Sequence, residues 1–391
     1  MSDLELASMA RDELVFYYQL TLGPAHIVRV RALDQQDGIR CRGVALAARE
    51  QTRKYDAASP SDVEIEEVTS GVYEEMRTGA VLRAARRHVL AKNPSVIIID
   101  SPADSVQYRL GRWAQRRGIL VFTRWAATRL DHPRFRWKEF LKGFIYRGWD
   151  GYLVTGARAA DYLDSFGVSS DRMFFCGNPV DVDAIEASSR ENAVSRRSTD
   201  LLFVGRFLRL KNLVPFLRAF SRYRREGGAL GLRLAGFGET EAEVRSLTAT
   251  IPGAELLGHL QFSDLVREYL SCAALVLPSY SENWGLVVNE AIHAGAPVLA
   301  STHVGCVPEL VHEGKTGLLF DPMSESSMVD VLHRFEALSH GDREAMSRAC
   351  CSEMMGQTPE AWAGGVAGGI RQVRKRSLMT RATSRPEASS Q

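Results

Sequence analysis

From end to end the chain alternates short, unbroken apolar runs with segments whose apolar residues recur at helical spacing. In the first half the runs predict strands at 14–20, 41–46, 63–68, 96–100, 118–122 and 152–155, with helical patterns such as 73–90 and 107–117 between them. The second half repeats the scheme at 201–204, 232–235, 255–257, 274–277, 297–300 and 317–320. A strand that is apolar on both faces needs cover on both, and intervening helices supply it. The rhythm therefore implies parallel sheets rather than half-exposed hairpins. Two series of about six strands predict an α/β protein of two Rossmann-like, doubly wound domains with a ligand crevice at the strands' carboxyl ends. A length of 391 residues is enough for two such cores.

The boundary falls near Asn178-Pro179-Val180-Asp181, after a strand at 173–175 and before the polar stretch 186–200. This gives domains at 1–180 and 181–358, a last helix at 359–376, and a Ser-, Arg- and Thr-rich tail at 377–391 expected to be disordered. The formal net charge of +2 offers no global attraction to nucleic acid. The six cysteines form no C-x-x-C pair and read as buried free thiols. The N-terminus lacks a basic segment followed by an apolar one, and no run approaches the length of a membrane span, so a cytoplasmic protein is expected.

The chemistry concentrates in the second half. The stretch Ser281-Glu282-Asn283-Trp284-Gly285-Leu286-Val287-Val288-Asn289-Glu290-Ala291, followed by Gly295-Ala296-Pro297-Val298, places a loop and then a helix start after a strand. Free amides at a helix start attract anions, and Gly285 lets a ligand approach the backbone. Carboxylates at Glu282 and Glu290, on either side of that turn, suit a ligand with phosphates in its middle and hydroxyls at both ends. Taken singly, either acid is more often a solvated surface group than part of a site. Upstream, Phe203-Val204-Gly205-Arg206 and Lys211-Asn212 put two cations at the carboxyl end of a strand and near the next helix start. Lys211 opposes the helix dipole there, a broken local rule of the kind found at functional sites.

These stretches, with Leu234-Ala235-Gly236-Phe237-Gly238 and Gly258-His259-Leu260 between them, resemble glycosyltransferase family 4 of the GT-B fold. The resemblance is close over 200–322 and weaker across the first half. It implies a retaining, metal-independent glycosyltransferase (EC 2.4 class) with two Rossmann-like domains facing a central cleft. The donor is a nucleotide diphosphate-sugar, with a UDP-sugar favoured over a GDP-sugar, and the acceptor is a hydroxyl in glycan, glycolipid or glycosylated-metabolite synthesis. Donor-binding residues implied are Gly23, Arg206, Lys211, Gly236, His259, Leu260, Glu282, Asn283, Trp284, Gly285, Leu286 and Glu290. Arg206 and Lys211 match the cations on the diphosphate. Glu290 matches the carboxylate on the ribose, and Glu282 the acid facing the transferred sugar. His259 and Leu260 match the loop whose backbone reads the base, and Gly23 the first-domain turn over the phosphates. Glu282, Arg206 and Lys211 are the implied catalytic groups. In the family the last helix crosses back onto the first domain, a role that 359–376 fits. No metal or other cofactor is implied. A sugar-nucleotide 2-epimerase of the same fold and a non-catalytic nucleotide-sugar sensor are the alternatives.

The chain departs from the family at one point. Where members often carry a sugar-facing His after the fifth strand, Thr123-Arg124-Trp125 stands here, and the nearest histidine is His132. Arg124, Asp131 and His132 are the candidates for that contact. Asp181-Val182-Asp183 has the form of a metal-binding D-x-D, but follows Asn-Pro at the domain junction, where Asp forms turns. Finally, 11 cations between Arg109 and Arg147 face only Asp131 and Glu139. From Pro133 onward Trp137, Phe140, Leu141, Phe144 and Ile145 recur at helical spacing, beside a stripe of Arg134, Lys138 and Lys142. Residues 133–149 thus read either as a helix docked on its own sheet with a solvated basic face, or as one lying on an anionic membrane at its inner face.

Overall fold

A computed structural model describes residues 12–50, 63–100, 102–130, 136–191, 197–353 and 356–383. The first domain runs β1 (Glu13–Gln19), α1 (Pro24–Asp34), β2 (Ile39–Ala45), β3 (Ile65–Glu67), α2 (Thr78–Lys92), β4 (Val96–Ile99) and α3 (Ser105–Gln115). It continues with β5 (Leu120–Trp125), α4 (Arg136–Tyr146), β6 (Gly151–Val154), α5 (Ala157–Asp164) and β7 (Met173–Phe175). All pairings are parallel, in the order β3-β2-β1-β4-β5-β6-β7. The local reasons are visible in single residues. Val96–Ile99 is four buried β-branched residues in a row. Asn93, left-handed at φ 50°, ends α2 just before it. Asp104 caps α3 by accepting from the amides of Val106 and Gln107. The helix expected at 73–90 is interrupted, because Met76 and Arg77 are extended between a 3₁₀ turn at Tyr73–Glu75 and α2.

The second domain repeats the plan. It comprises α6 (Val182–Glu191), β8 (Asp200–Val204), α7 (Leu213–Arg225), β9 (Gly231–Ala235), α8 (Glu241–Thr248), β10 (Ala254–Gly258) and α9 (Phe262–Ser271). Then follow β11 (Ala274–Leu277), α10 (Leu286–His293), β12 (Val298–Ser301), α11 (Val307–Leu310), β13 (Gly317–Phe320), α12 (Glu325–Glu336) and α13 (His340–Glu353). Its parallel sheet has the order β10-β9-β8-β11-β12-β13. Each sheet is buried on both faces, with separate apolar clusters above and below. Asp181 accepts from the amide of Ala184, so the first acid of the D-x-D sequence caps α6. Five of the six cysteines are buried and free, whereas Cys351 is exposed. Among the described residues no helix is long and apolar enough to cross a membrane.

The last helix, α14 (Pro359–Thr383), returns to the first domain and lies on α1, β6 and β7. It extends past Arg376 into the stretch read from sequence as a tail. Trp362, Ala363, Val366, Ala367 and Ile370 form its buried stripe, at the spacing a helix needs to keep one face inward. The Trp362 ring meets Tyr17 edge-on at 6.2 Å, and Arg374 clamps Glu13 through two hydrogen bonds of 2.9 and 2.7 Å. Removing a buried aromatic of this size leaves a cavity as well as losing transfer free energy. Trp362→Ala should therefore cost the first domain about 3–5 kcal/mol, read as a lower urea midpoint at unchanged slope. An unaltered midpoint would mean that α14 is not part of that domain's core.

Candidate functional site

Both sheets reverse strand order beside their first strand, and in the second domain the switch lies between β8 and β11. Loops leaving adjacent strands in opposite directions open a crevice there. After β8 come Gly205, the exposed Arg206, and a 3₁₀ turn at Arg209–Lys211. Asn212, left-handed at φ 56°, ends the turn and donates through its side-chain amide to the Pro322 carbonyl at 2.9 Å. After β11 the amide of Tyr280 donates to the Leu210 carbonyl at 2.9 Å, so the two loops are tied together. Across this tie Lys211 Nζ donates to Glu282 Oε2 in a close ion pair. Their side chains are only 20% and 17% exposed, too enclosed for solvent to screen the pair as it would a surface bridge.

The Glu282 loop is held from behind. Its carbonyl accepts from Gly305 at 2.8 Å, and that of Trp284 accepts from Cys306 at 3.1 Å. Asn283 between them is exposed. Gly285 then turns left-handed, at φ 96°, to start α10 at Leu286, which leaves the first amides of that helix free to meet an anion. One turn further on, Glu290 accepts from the phenol of the buried Tyr269 at 2.7 Å. Burial pushes its carboxyl up to about 7, against the opposing pull of that hydrogen bond.

Beside the ion pair, Val204, Gly205, Arg206, Gly236, His259 and Leu260 help line a cavity of about 220 Å³. Gly236 is required where it stands. At φ 145° it would carry a Cβ only 1.9 Å from the Gly205 carbonyl oxygen. Phe237 closes one wall, edge-on to the His259 ring at 5.4 Å. Arg206, Gly236, His259 and Leu260 thus line one cavity, and Lys211 and the 282–290 segment follow β8 and β11 of the same sheet.

In the first domain Gly23 precedes α1 at the carboxyl end of β1, its amide donating to His26 Nδ1 at 3.1 Å. Arg124 does not project freely toward the cleft. It donates to Asp100 and, at 3.2 Å, to the side-chain oxygen of Asn178. The buried Arg29 donates to the same oxygen. Arg124 holds the Asp100 carboxyl well below the usual carboxylate range against the effect of burial. Asp131 and His132 lie outside the described residues.

Several participants had no sequence-based role. Asn289 is fully buried, accepts from Trp284 Nε1 at 2.8 Å and donates to the Asn178 carbonyl at 3.1 Å. On the opposite wall the first amide of α5, on Ala157, donates to Glu309 at 2.6 Å, and Arg158 donates to the Val304 carbonyl at 2.7 Å. The first domain therefore rests on the same 304–309 segment that backs Glu282. Asn289 was visible as a polar residue on the apolar side of its helix. Nothing local marked Glu309, Asp100 or Tyr269.

Residues 184–350 match the family described as glycosyl transferases group 1. Among curated proteins, the D-inositol 3-phosphate glycosyltransferase of Pseudarthrobacter chlorophenolicus is 31% identical over 196 residues, covering 47% of this chain and 46% of that protein. The chain thus spans about half the length of the curated relatives it matches. Among solved structures, sucrose-phosphate synthase from Thermosynechococcus elongatus superposes with a TM-score of 0.71 at 16% identity, covering 93% of this chain and 100% of that one. The HepE protein of Anabaena, solved with UDP and glucose, gives 0.68 at 12% identity, covering 92% and 99%. At these identities the likeness is one of fold, and the fold is GT-B.

The raised carboxyl of Glu290 makes two linked predictions. Its folded pKa lies above the unfolded value, so the stability it contributes is complete below pH ~4.5 and is lost as pH rises through about 7. Glu290→Gln removes that titration. The variant should be more stable than the parent above pH 7 by on the order of 1–3 kcal/mol, with the gain fading toward pH 4 in denaturant titrations. A gain that does not change with pH would show that Glu290 is ionised throughout.

Proposed function

We propose that this chain, whose residues 184–350 match the group 1 glycosyl transferases and whose fold is GT-B, transfers a sugar from a nucleotide diphosphate donor to an acceptor hydroxyl with retention of anomeric configuration. The observation that carries the reading is the Lys211–Glu282 pair, formed by the loops on either side of the second domain's switch point. A diphosphate-sugar offers each partner a replacement: phosphate oxygens for the ammonium, sugar hydroxyls for the carboxylate. The pair holds both groups in place and gives way when a ligand supplies both counterparts at once. A UDP-sugar is the preferred donor, in keeping with the UDP that the HepE structure contains.

In this reading the base enters the cavity beside Gly236, His259 and Leu260, and Glu290 accepts from the ribose hydroxyls. Arg206, Lys211 and the amides at the start of α10 surround the diphosphate. The first domain closes over it with Gly23. The bond between the anomeric carbon and the diphosphate oxygen breaks as negative charge grows on the leaving group, and fixed cations and amides stabilise that charge without reorganising. The acceptor oxygen attacks from the face the diphosphate is leaving. Its proton passes to a departing phosphate oxygen, giving the glycoside and a nucleoside diphosphate. Arg124, already committed to Asp100 and Asn178, positions the first domain's wall, and Glu282 orients the sugar.

The assignments separate experimentally. Lys211→Ala or Arg206→Ala should lower turnover on the order of 10²–10³-fold, the scale of losing one preorganised donor to developing charge. Lys211→Arg should not restore it, because a planar fork does not replace a compact ammonium. Glu282→Ala should keep nucleoside diphosphate affinity nearly intact while lowering turnover, and Glu290→Ala should weaken that affinity. Equal losses of binding in the two acid variants would overturn their roles. With the leaving-group charge met by protein groups, mass-spectrometric detection of the glycoside should persist in excess EDTA. Activity abolished by EDTA and restored by Mg²⁺ would move attention to Asp181 and Asp183.

A further inference from the structure

Helices α3 and α4 follow β4 and β5 and lie on one face of the first sheet, where Leu110, Ala114, Trp149 and Tyr146 share a single apolar cluster. Their outer sides form one surface. Helix α4 is held to its own domain by two side chains: Glu139 accepts from the Tyr162 phenol at 2.8 Å, and the Tyr146 ring packs between Trp125 and Phe166. Phe140 and Phe144 are 65% and 62% exposed, and Ile145 beside them is 37% exposed. Of the two sequence readings of 133–149, docking on the sheet does not hold for Phe140, Phe144 and Ile145. Three large apolar side chains grouped on one helix face are not ordinary scattered exposure.

Cations accompany both helices. Arg147 is exposed with its guanidinium 5.9 Å from the Phe144 ring centre. Arg109 stands exposed on α3, and Arg116 just past its end. Arg112 joins the two helices, donating to the Arg147 and Gly148 carbonyls and lying 4.2 Å over the Trp149 ring. The nearby acids are engaged or lie at the margin. Glu139 is paired with Lys142, Asp150 accepts from Val121 and Gln115, and Asp161 and Asp164 stand exposed on α5 at the edge of the patch.

We propose that this α3–α4 face docks the protein on an anionic lipid bilayer. Phe140, Phe144 and Ile145 enter the headgroup boundary, and Arg109, Arg116 and Arg147 meet lipid phosphates. Apolar residues clustered on a basic helix face match what an interfacial helix needs. The alternative polyanion, single-stranded nucleic acid, requires open ring faces on which bases stack. Here the two rings are turned edge-to-face at 85° and 5.2 Å, so they offer no pair of parallel faces for successive bases. The inference does not depend on the transfer chemistry.

The test is flotation of the full chain with vesicles of phosphatidylcholine, alone or mixed with phosphatidylglycerol. Binding is expected to the mixed vesicles only, with release on raising salt, since surface charge is screened. The pair Arg109→Glu with Arg116→Glu should lower binding by at least about tenfold. The pair Phe140→Ser with Phe144→Ser should make the remaining binding far more salt-sensitive. All four side chains lie outside the core, so thermal melts and nucleotide affinity should match the parent, which separates loss of docking from loss of the donor site. Absence of binding to mixed vesicles at low salt, undiminished binding by both variants, or retention by single-stranded RNA in place of vesicles would overturn the proposal.

Discussion

Asn178 is where the two halves of the molecule are made to agree. Its side-chain oxygen accepts from Arg29 and Arg124, and its carbonyl accepts from Asn289 of the second domain. Two guanidinium groups buried beside a single carboxylate, Asp100, are tolerable only when nearly every donor finds a partner. The amide oxygen supplies the partner that Asp100 alone cannot. From there the path is short: Asn289 holds the Trp284 indole, and Trp284 lies in the loop that presents Glu282. A buried polar network in the first domain thus reaches the carboxylate of the second through a few directed bonds.

A second connection reaches the same loop from the other side. Glu309 accepts from the first amide of α5, and Arg158 reaches the Val304 carbonyl. The indole of Trp284 lies so close to Gly156 that a Cβ there would stand 2.8 Å from the ring. The loop of Glu282 is therefore sensed by the first domain at two places, once through Asn289 and once through residues 304–309. Burial raises the Glu309 carboxyl, so this contact is more easily protonated than a surface acid would be.

Much of the fold was legible because its signals are local. Continuous apolar runs marked most inner strands to within a few residues, since burial on both faces leaves no alternation to misread; β2 and the edge strands β3 and β10 carry charged residues and have a weaker signal. The motif residues Arg206, Lys211, Glu282 and Gly285 were also legible, each tied to a strand end or helix start that the pattern located. What escaped was either a pairing across the chain or a choice of face. Arg124 looked available because Asp100 and Asn178 are 24 and 54 positions away. For Phe140, Phe144 and Ile145 of α4 two readings stood open, because hydrophobic periodicity says that a helix has an apolar side, not where that side points. The expected tail began too early because nothing after Arg376 breaks a helix before Thr383.

The return of α14 to the first domain has a mechanical consequence. The polypeptide passes between the domains twice, once beside Asn178 and once before Pro359. The Asn178 amide donates to Gln357 at 3.2 Å, which holds the two passages side by side. A body fastened at two neighbouring points keeps one easy freedom, rotation about the line through them, and loses sliding and twisting. Any opening and closing of the cleft is then confined to one arc. The register between the two walls is written into the hinge.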